Sequence, residues 1–219
     1  MSISISQISN YSASSIRSEG TGLVASLDAA AVRAMSSSQV RGLSAAQINL
    51  LNSGELQALK VSGIDTAEIA NINTTAISTF TVAQIPALTT DQMVQMVQGQ
   101  LNALGSSQVS AIEVEDLNAI SVISTLTPSF LNSLSVLQMR SLSSTNLQAL
   151  TSTQLNGLSA TQLQNITSSG VSNLLTSQVN NLSTAQIVNL NVNQIKGLTS
   201  NQLNSLSATK LQAIEISDF

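Results

Sequence analysis

The 219-residue sequence contains neither cysteine nor histidine. Without cysteine there are no disulfides and no thiolate metal sites, a composition compatible with either redox compartment. Without histidine, Ser-His-Asp and Cys-His arrangements are impossible, and most transition-metal sites lose their usual ligand. Aromatic residues make up 2% of the chain and charged residues 8%. The polar surface must therefore be built mostly from Ser, Thr, Asn and Gln, which repel one another weakly and suit packing of like against like. Seven basic residues against eleven acidic ones speak against nucleic-acid binding. No basic amphipathic face is available for a membrane surface, and no apolar run is long enough to span a bilayer. The start of the chain, MSISISQISNYSASSI, has no charged segment followed by an apolar core, so an exported chain would use a route other than a standard leader. The tail AIEISDF, residues 213–219, with acidic residues beside terminal hydrophobics, would suit a signal read from the C-terminus.

What remains offers little chemistry. Serines abound but have no base beside them. A Ser-Lys pair could draw on Lys60, Lys196 or Lys210, yet no motif surrounds any of them. The glycines are scattered and form no phosphate loop. The densest carboxylate cluster is Glu113, Glu115 and Asp116. Several oxygens together could bind calcium, but the favoured reading is negative charge in the first turn of a helix. The sequence thus predicts no enzyme, no catalytic, cofactor-binding or metal residue, and no cofactor.

What the chain has in abundance is an eight-residue phrase. It is plainest in LTSTQLNG, LSATQLQN, LSTAQIVN and LTSNQLNS. With position 0 as the leading aliphatic residue, one run begins at Leu27, a second at Ile64 and a third at Leu126. The phase slips near residues 60–63 and 121–125. Position +5 is Leu, Ile, Val or Met in every full octad, position +1 is mostly Ser, Thr, Asp or Asn, and position +4 mostly Gln or Glu. A fixed short period decides the fold class before any other feature.

A continuous helix turns about 100° per residue, so eight residues overshoot two turns by roughly 80°. Its apolar stripe would wind around the axis. A flat strand would flip faces in each octad, because the spacings of five and three are both odd. A β-solenoid could absorb the flips at corners and stands as the alternative, against a composition poor in strand formers. One short helix per octad explains more. Ser or Thr at +1 with Gln at +4 is a capping box, and the aliphatics at 0 and +5 then form the hydrophobic staple. Gly or Asn at +7 suits a left-handed residue closing the helix. Pro128 falls at N1, where proline is welcome, whereas Pro86 at +6 should shorten its helix. Gly170 and Phe130 at +4, and Leu175 at +1, break the box. Acidic residues collect at +1 to +4 and Arg33, Arg41, Arg140 and Lys196 at +6, as the helix dipole favours.

Helices this short are unstable alone and must stack. The sequence therefore predicts an all-α solenoid over 27–219 with positions 0 and +5 inside, each unit touching mainly its neighbours. Residues 1–26 follow the octad poorly. Ile3 and Ile5 alternating with Ser suggest a short strand or extended arm, serving as an end cap or as an assembly arm. Octads such as Leu150-Thr151-Ser152-Thr153-Gln154-Leu155 resemble tandem repeat tracts of large bacterial surface or secreted proteins, often labelled haem-utilisation or adhesion proteins. That resemblance implies an extracellular structural role; with no His or Cys, it implies no haem ligand. Two functions are expected from this reading. The first is a secreted subunit that self-assembles into a filament, fibre or surface layer, without nucleic acid or membrane insertion. The second is an adhesin or binding scaffold for a surface or matrix partner.

Overall fold

The computed structural model describes residues 3–214. Among them, 24 α-helices and two 3-10 helices follow one another, and no strand occurs. The α-helices run from four residues (Ala45–Ile48) to six (Ser152–Asn156 has five, Ala160–Asn165 six). The helical reading therefore holds, and the β-solenoid alternative is overturned. The corner between octads explains why. Two extended residues, at 0 and +1, suffice to start the next helix, such as Ile166 at φ −64° and ψ 125° and Thr167 at φ −65° and ψ 162°, and the Thr167 side chain accepts the N3 amide of Gly170 at 2.9 Å. Glu215–Phe219, most of the tail in which an export signal is expected, lie outside the described residues. No helix of the described residues is long and apolar enough to cross a membrane.

The chain forms two compact units, residues 1–112 and 113–219. In each, a helix packs on the third one after it. In the first unit Ile5–Ile8 meets Ala29–Ala34, which in turn meets Ser53–Ala58. In the second, Ser152–Asn156 meets Thr176–Asn181, which meets Ser200–Ser205. Three octads thus complete one turn, and each unit is a three-sided coil. Positions 0 and +5 fill its interior: Leu155, Leu158, Leu163 and Ile166 are all buried.

The glutamine at +4 does more than close the capping box. Its Oε1 accepts the N–H of the +1 residue, as Gln154 does from Thr151 at 2.8 Å. Its Nε2 turns inward and donates to two backbone carbonyls of the preceding turn. Gln154 reaches Ile123 and Leu126, each at 2.7 Å, 31 and 28 residues back. Gln194 reaches Leu163 and Ile166 in the same way, and in the first unit Gln100 reaches Ile69 and Ile72. Every buried glutamine of the described residues stands at +4. A buried carboxamide is tolerated because its donors and acceptor are used. Where +1 cannot cap, half the box persists, since Gln178 still accepts the N–H of Leu175 at 2.7 Å.

The two phase slips are sides of the coil built from fewer residues. Val61–Gly63 and Ile123–Thr125 are the 3-10 helices. Each takes one full side, so the hydrogen bonds shorten in sequence but not in space. Gln84, the first glutamine whose reach crosses the five-residue side, donates to Leu56 and Leu59, now 28 and 25 residues back. Lys60 supplies the short side's own link, with Nζ donating to the carbonyl of Met35 at 2.5 Å.

Two expectations need correction. The described residues of this segment, 3–26, hold no strand or extended arm. Ile5–Ile8, Ala13–Ser18 and Gly20–Val24 are helices, and Ser4 with Gln7 makes a full capping box. Ile8 and Ile16 are fully buried at +5. The segment is the first turn of the coil, in the same octad phase, with Ile3 and Tyr11 at position 0. The second correction concerns +7. Gly42 and Gly157 have φ of −70° and −86°, and Gly20 is the single described residue with positive φ. Helices end instead on a 3-10 type bond, as from Leu158 N–H to the carbonyl of Leu155, with position 0 extended. Pro128 opens its helix at N1 after Thr127. Pro86 acts more strongly than a shortening: residues 81–87 form turns with no helix, because proline cannot donate the bond that would extend one.

Asparagine at +6 adds a link in the other direction. Asn156 donates to the carbonyl of Asn181 at 3.0 Å and accepts the N–H of Ser183 at 2.7 Å, both in the following turn. Asn132 does the same with Gly157 and Ser159. This capture takes the +1 N–H away from the capping glutamine, and Oε1 of Gln186 and of Gln162 are left as buried acceptors without a partner. The longer Gln148 donates to Asn173 without taking the +1 N–H, and there the glutamine's half of the box survives. Asn156→Ala is therefore expected to cost only about 1 kcal/mol, since Ser183 N–H can pass to Gln186. Urea denaturation of the two proteins measures it.

Candidate functional site

None of the sequence candidates assembles into a reactive group. Glu113 is the residue before the helix Val114–Ala119, and Glu115 and Asp116 lie in its first turn. Glu113 and Glu115 are exposed, whereas Asp116 stands at +4 and is buried. The three carboxylates do not converge, and among the described residues no group of three acidic side chains is placed to hold a metal ion. Lys60 and Lys210 both donate to backbone carbonyls of the preceding turn, of Met35 and Asn180. Lysine at these positions does what glutamine does elsewhere. Lys196 has a different setting, described below.

The ion pairs of the described residues all involve Arg17. Its Nη1 lies 2.7 Å from Glu68 Oε1 and its Nη2 3.8 Å from Asp65. Nη2 also donates to the carbonyl of Arg41 at 3.3 Å, and Glu68 Oε2 accepts the N–H of Ala45 at 2.8 Å. Three successive turns of the first unit are tied together through this group. The Ala45 N–H, and after it the Arg17 guanidinium, hold the Glu68 carboxyl below its ordinary value. A lowered folded-state pKa contributes stability that is present above the unfolded value and lost as pH falls through the folded one. Between about pH 5 and about pH 3 the melting temperature should accordingly fall more steeply for the native chain than for Glu68→Gln. Thermal melts followed by circular dichroism over that range check it.

Clefts open on the surface of both units. In the first unit, Arg41, Asp65 and Asp91 line one together with Ser62, Thr66 and Thr89. It carries charges of both signs. In the second unit a cleft of about 470 Å³ lies between Arg140, residues 164–168 and residues 191–197. Its charged side chains are Arg140 and Lys196, both exposed and both at +6. Around them stand Gln164, Asn165, Ser168 and Asn193. The dipole rule explains why cations occupy +6, but it does not predict that two of them share a cleft. That depends on three octads completing a turn.

Comparison with known proteins gives one family. Residues 24–61 and 61–97 match the ALTTAQ repeat in two tandem copies. The phrase Ala87–Gln92, ALTTDQ, lies within the second copy. In it Thr89 and Gln92 form a capping box, and Gln92 Nε2 donates to Val61 and Ile64 of the preceding turn. The matched stretch is a repeat tract, and the same geometry continues in the octads that follow it. No curated protein matches the chain.

Proposed function

We propose that the chain is a non-enzymatic structural protein, a secreted bacterial subunit that self-assembles into an extracellular filament, fibre or surface layer. The observation that supports this reading is how one turn holds the next. The contact is made by glutamine donors on one face and backbone carbonyls on the other, as between Gln178 and the carbonyls of Leu147 and Leu150. A turn with glutamine at +4, such as that of Gln178, Gln186 and Gln194, presents both faces. A contact between unlike faces does not close on itself and propagates into open assemblies. The weakly charged surface offers little repulsion against such growth. Sedimentation velocity and negative-stain electron microscopy of the purified protein, over a range of concentration and salt, test the reading. Filaments or sheets are expected, and a monomer under all conditions would overturn it.

A second reading, an adhesin or binding scaffold, draws support from one separate observation, the cleft between Arg140 and Lys196.

A further inference from the structure

The cleft of the second unit gathers polar groups that the fold does not use. Some exposed carboxamides tie one turn to the next, as Asn132 and Asn156 do. In the cleft, the side chains of Asn165, Asn193, Arg140 and Lys196 make no hydrogen bond to protein among the described residues, and neither does the Ser168 hydroxyl. The other polar lining side chains are occupied: Gln164 donates to the carbonyl of Asn189 at 3.0 Å, Thr167 and Asn191 accept the N–H groups of Gly170 and Gln194, and Gln194 donates to Leu163 and Ile166. The two cations also lack acidic neighbours in sequence. From residue 117 to residue 214 there is no aspartate or glutamate. Their charge therefore acts on whatever enters the cleft.

We propose that this cleft binds an acidic carbohydrate, a sugar bearing a carboxylate or sulfate. The anionic group sits with Arg140 and Lys196, where the planar guanidinium offers a two-point contact to paired oxygens. The sugar hydroxyls exchange hydrogen bonds with Asn165, Asn193 and Ser168, whose groups both donate and accept. The volume of about 470 Å³ suits a small organic ligand and exceeds what a single inorganic anion fills. No aromatic ring lines the cleft, so selection comes from charge and hydrogen bonds, without a stacking platform. The proposal stands apart from self-assembly, because the cleft lies within one unit of one chain.

Equilibrium dialysis tests it and reads binding equally well in monomers and assemblies. The full chain is dialysed against a labelled glucuronate-containing disaccharide, its uncharged glucose counterpart, and inorganic phosphate. Saturable binding of one acidic disaccharide per chain is expected. The neutral disaccharide, and the acidic one with Arg140→Gln/Lys196→Gln, should bind about tenfold more weakly. Asn193→Ala should weaken the disaccharide and leave phosphate unchanged. All these residues are exposed or half-buried, and melting curves confirm that the variants fold. Equal binding of the neutral sugar, equal binding of phosphate, or full binding by the double variant would each overturn the proposal, as would absence of saturable binding.

Discussion

Gln154→Glu is expected to lower the unfolding free energy by about 3 kcal/mol at neutral pH, although it changes one atom and keeps the side-chain length. The carboxylate can still accept the Thr151 N–H, so the capping box survives. What it loses is the donor. Nε2 of Gln154 meets the carbonyls of Ile123 and Leu126 at 2.7 Å each in the buried interior. An ionised oxygen there would face two carbonyl oxygens, with no cation beside it and little access to water. Gln154→Ala loses the side-chain half of the box, the Thr151 N–H bond, and both bonds to the preceding turn but keeps the residue 154 N–H on Thr151 Oγ1 and adds no charge, and should cost about 2 kcal/mol. The larger effect of the more conservative change marks the donor as the essential group. Burial raises the folded-state pKa of the introduced carboxyl, so its penalty is present at high pH and shrinks as pH falls through that value. Urea denaturation at neutral and acidic pH measures both the size and the sign. Equal stability of Gln154→Glu and the native protein at neutral pH would show that the carbonyls are satisfied in another way.

Gly42→Ala is expected to cost about 2–3 kcal/mol, in a family of substitutions usually regarded as mild. A Cβ at Gly42 would lie 2.3 Å from the carbonyl oxygen of Ala13 and 2.7 Å from its Cα. Backbone stands on both sides of that contact, so neither can step aside by changing a rotamer. Gly197 is placed likewise, its Cβ position 2.6 Å from the carbonyl oxygen of Ser168. Gly22 provides the opposite case. It lies in the helix Gly20–Val24, and nothing is within 4 Å of its Cβ position. Gly22→Ala should stabilise by about 0.5–1 kcal/mol, because alanine loses less backbone freedom on folding. Thermal melts of the two variants, shifting in opposite directions, would separate close approach from helix propensity as the reason for glycine.

The local part of this fold is legible in the octad because caps and staples are written within a few residues. Ser159 and Gln162, or Thr151 and Gln154, announce a helix start wherever the phrase stands. The relations between turns are less visible. One carboxamide oxygen explains Gln154 at the sequence level, and nothing in the octad says that its nitrogen has a partner 28 residues away. The same blindness affects +7. A glycine at the end of a helix suggests a left-handed closure, yet Gly42 is there because Ala13 is close. Residues 1–26 were legible in principle, since Ile3-Ser4-Ile5-Ser6-Gln7-Ile8 is an octad phrase. Its alternating Ile and Ser imitate a strand, and the octad at Glu19 has Gly20 where a cap belongs. The cleft between Arg140 and Lys196 could not be read before the number of octads per turn was known.

The short sides carry a consequence for how such chains change length. In a β-ladder, a slip of one residue moves every following side chain to the opposite face. Here the links between turns fall on the ends of helices, and the stretch between two ends can shrink. Leu59–Gly63 gives up three residues, and Gln84 and Gln92 still find their carbonyls. Deletions and insertions are therefore absorbed inside one side instead of being passed along the chain. Whole octads are a different matter, since adding one rotates everything after it by a third of a turn, and three together restore the original facing. Natural length variants should accordingly be frequent as small changes near a corner, and as whole turns gained or lost together.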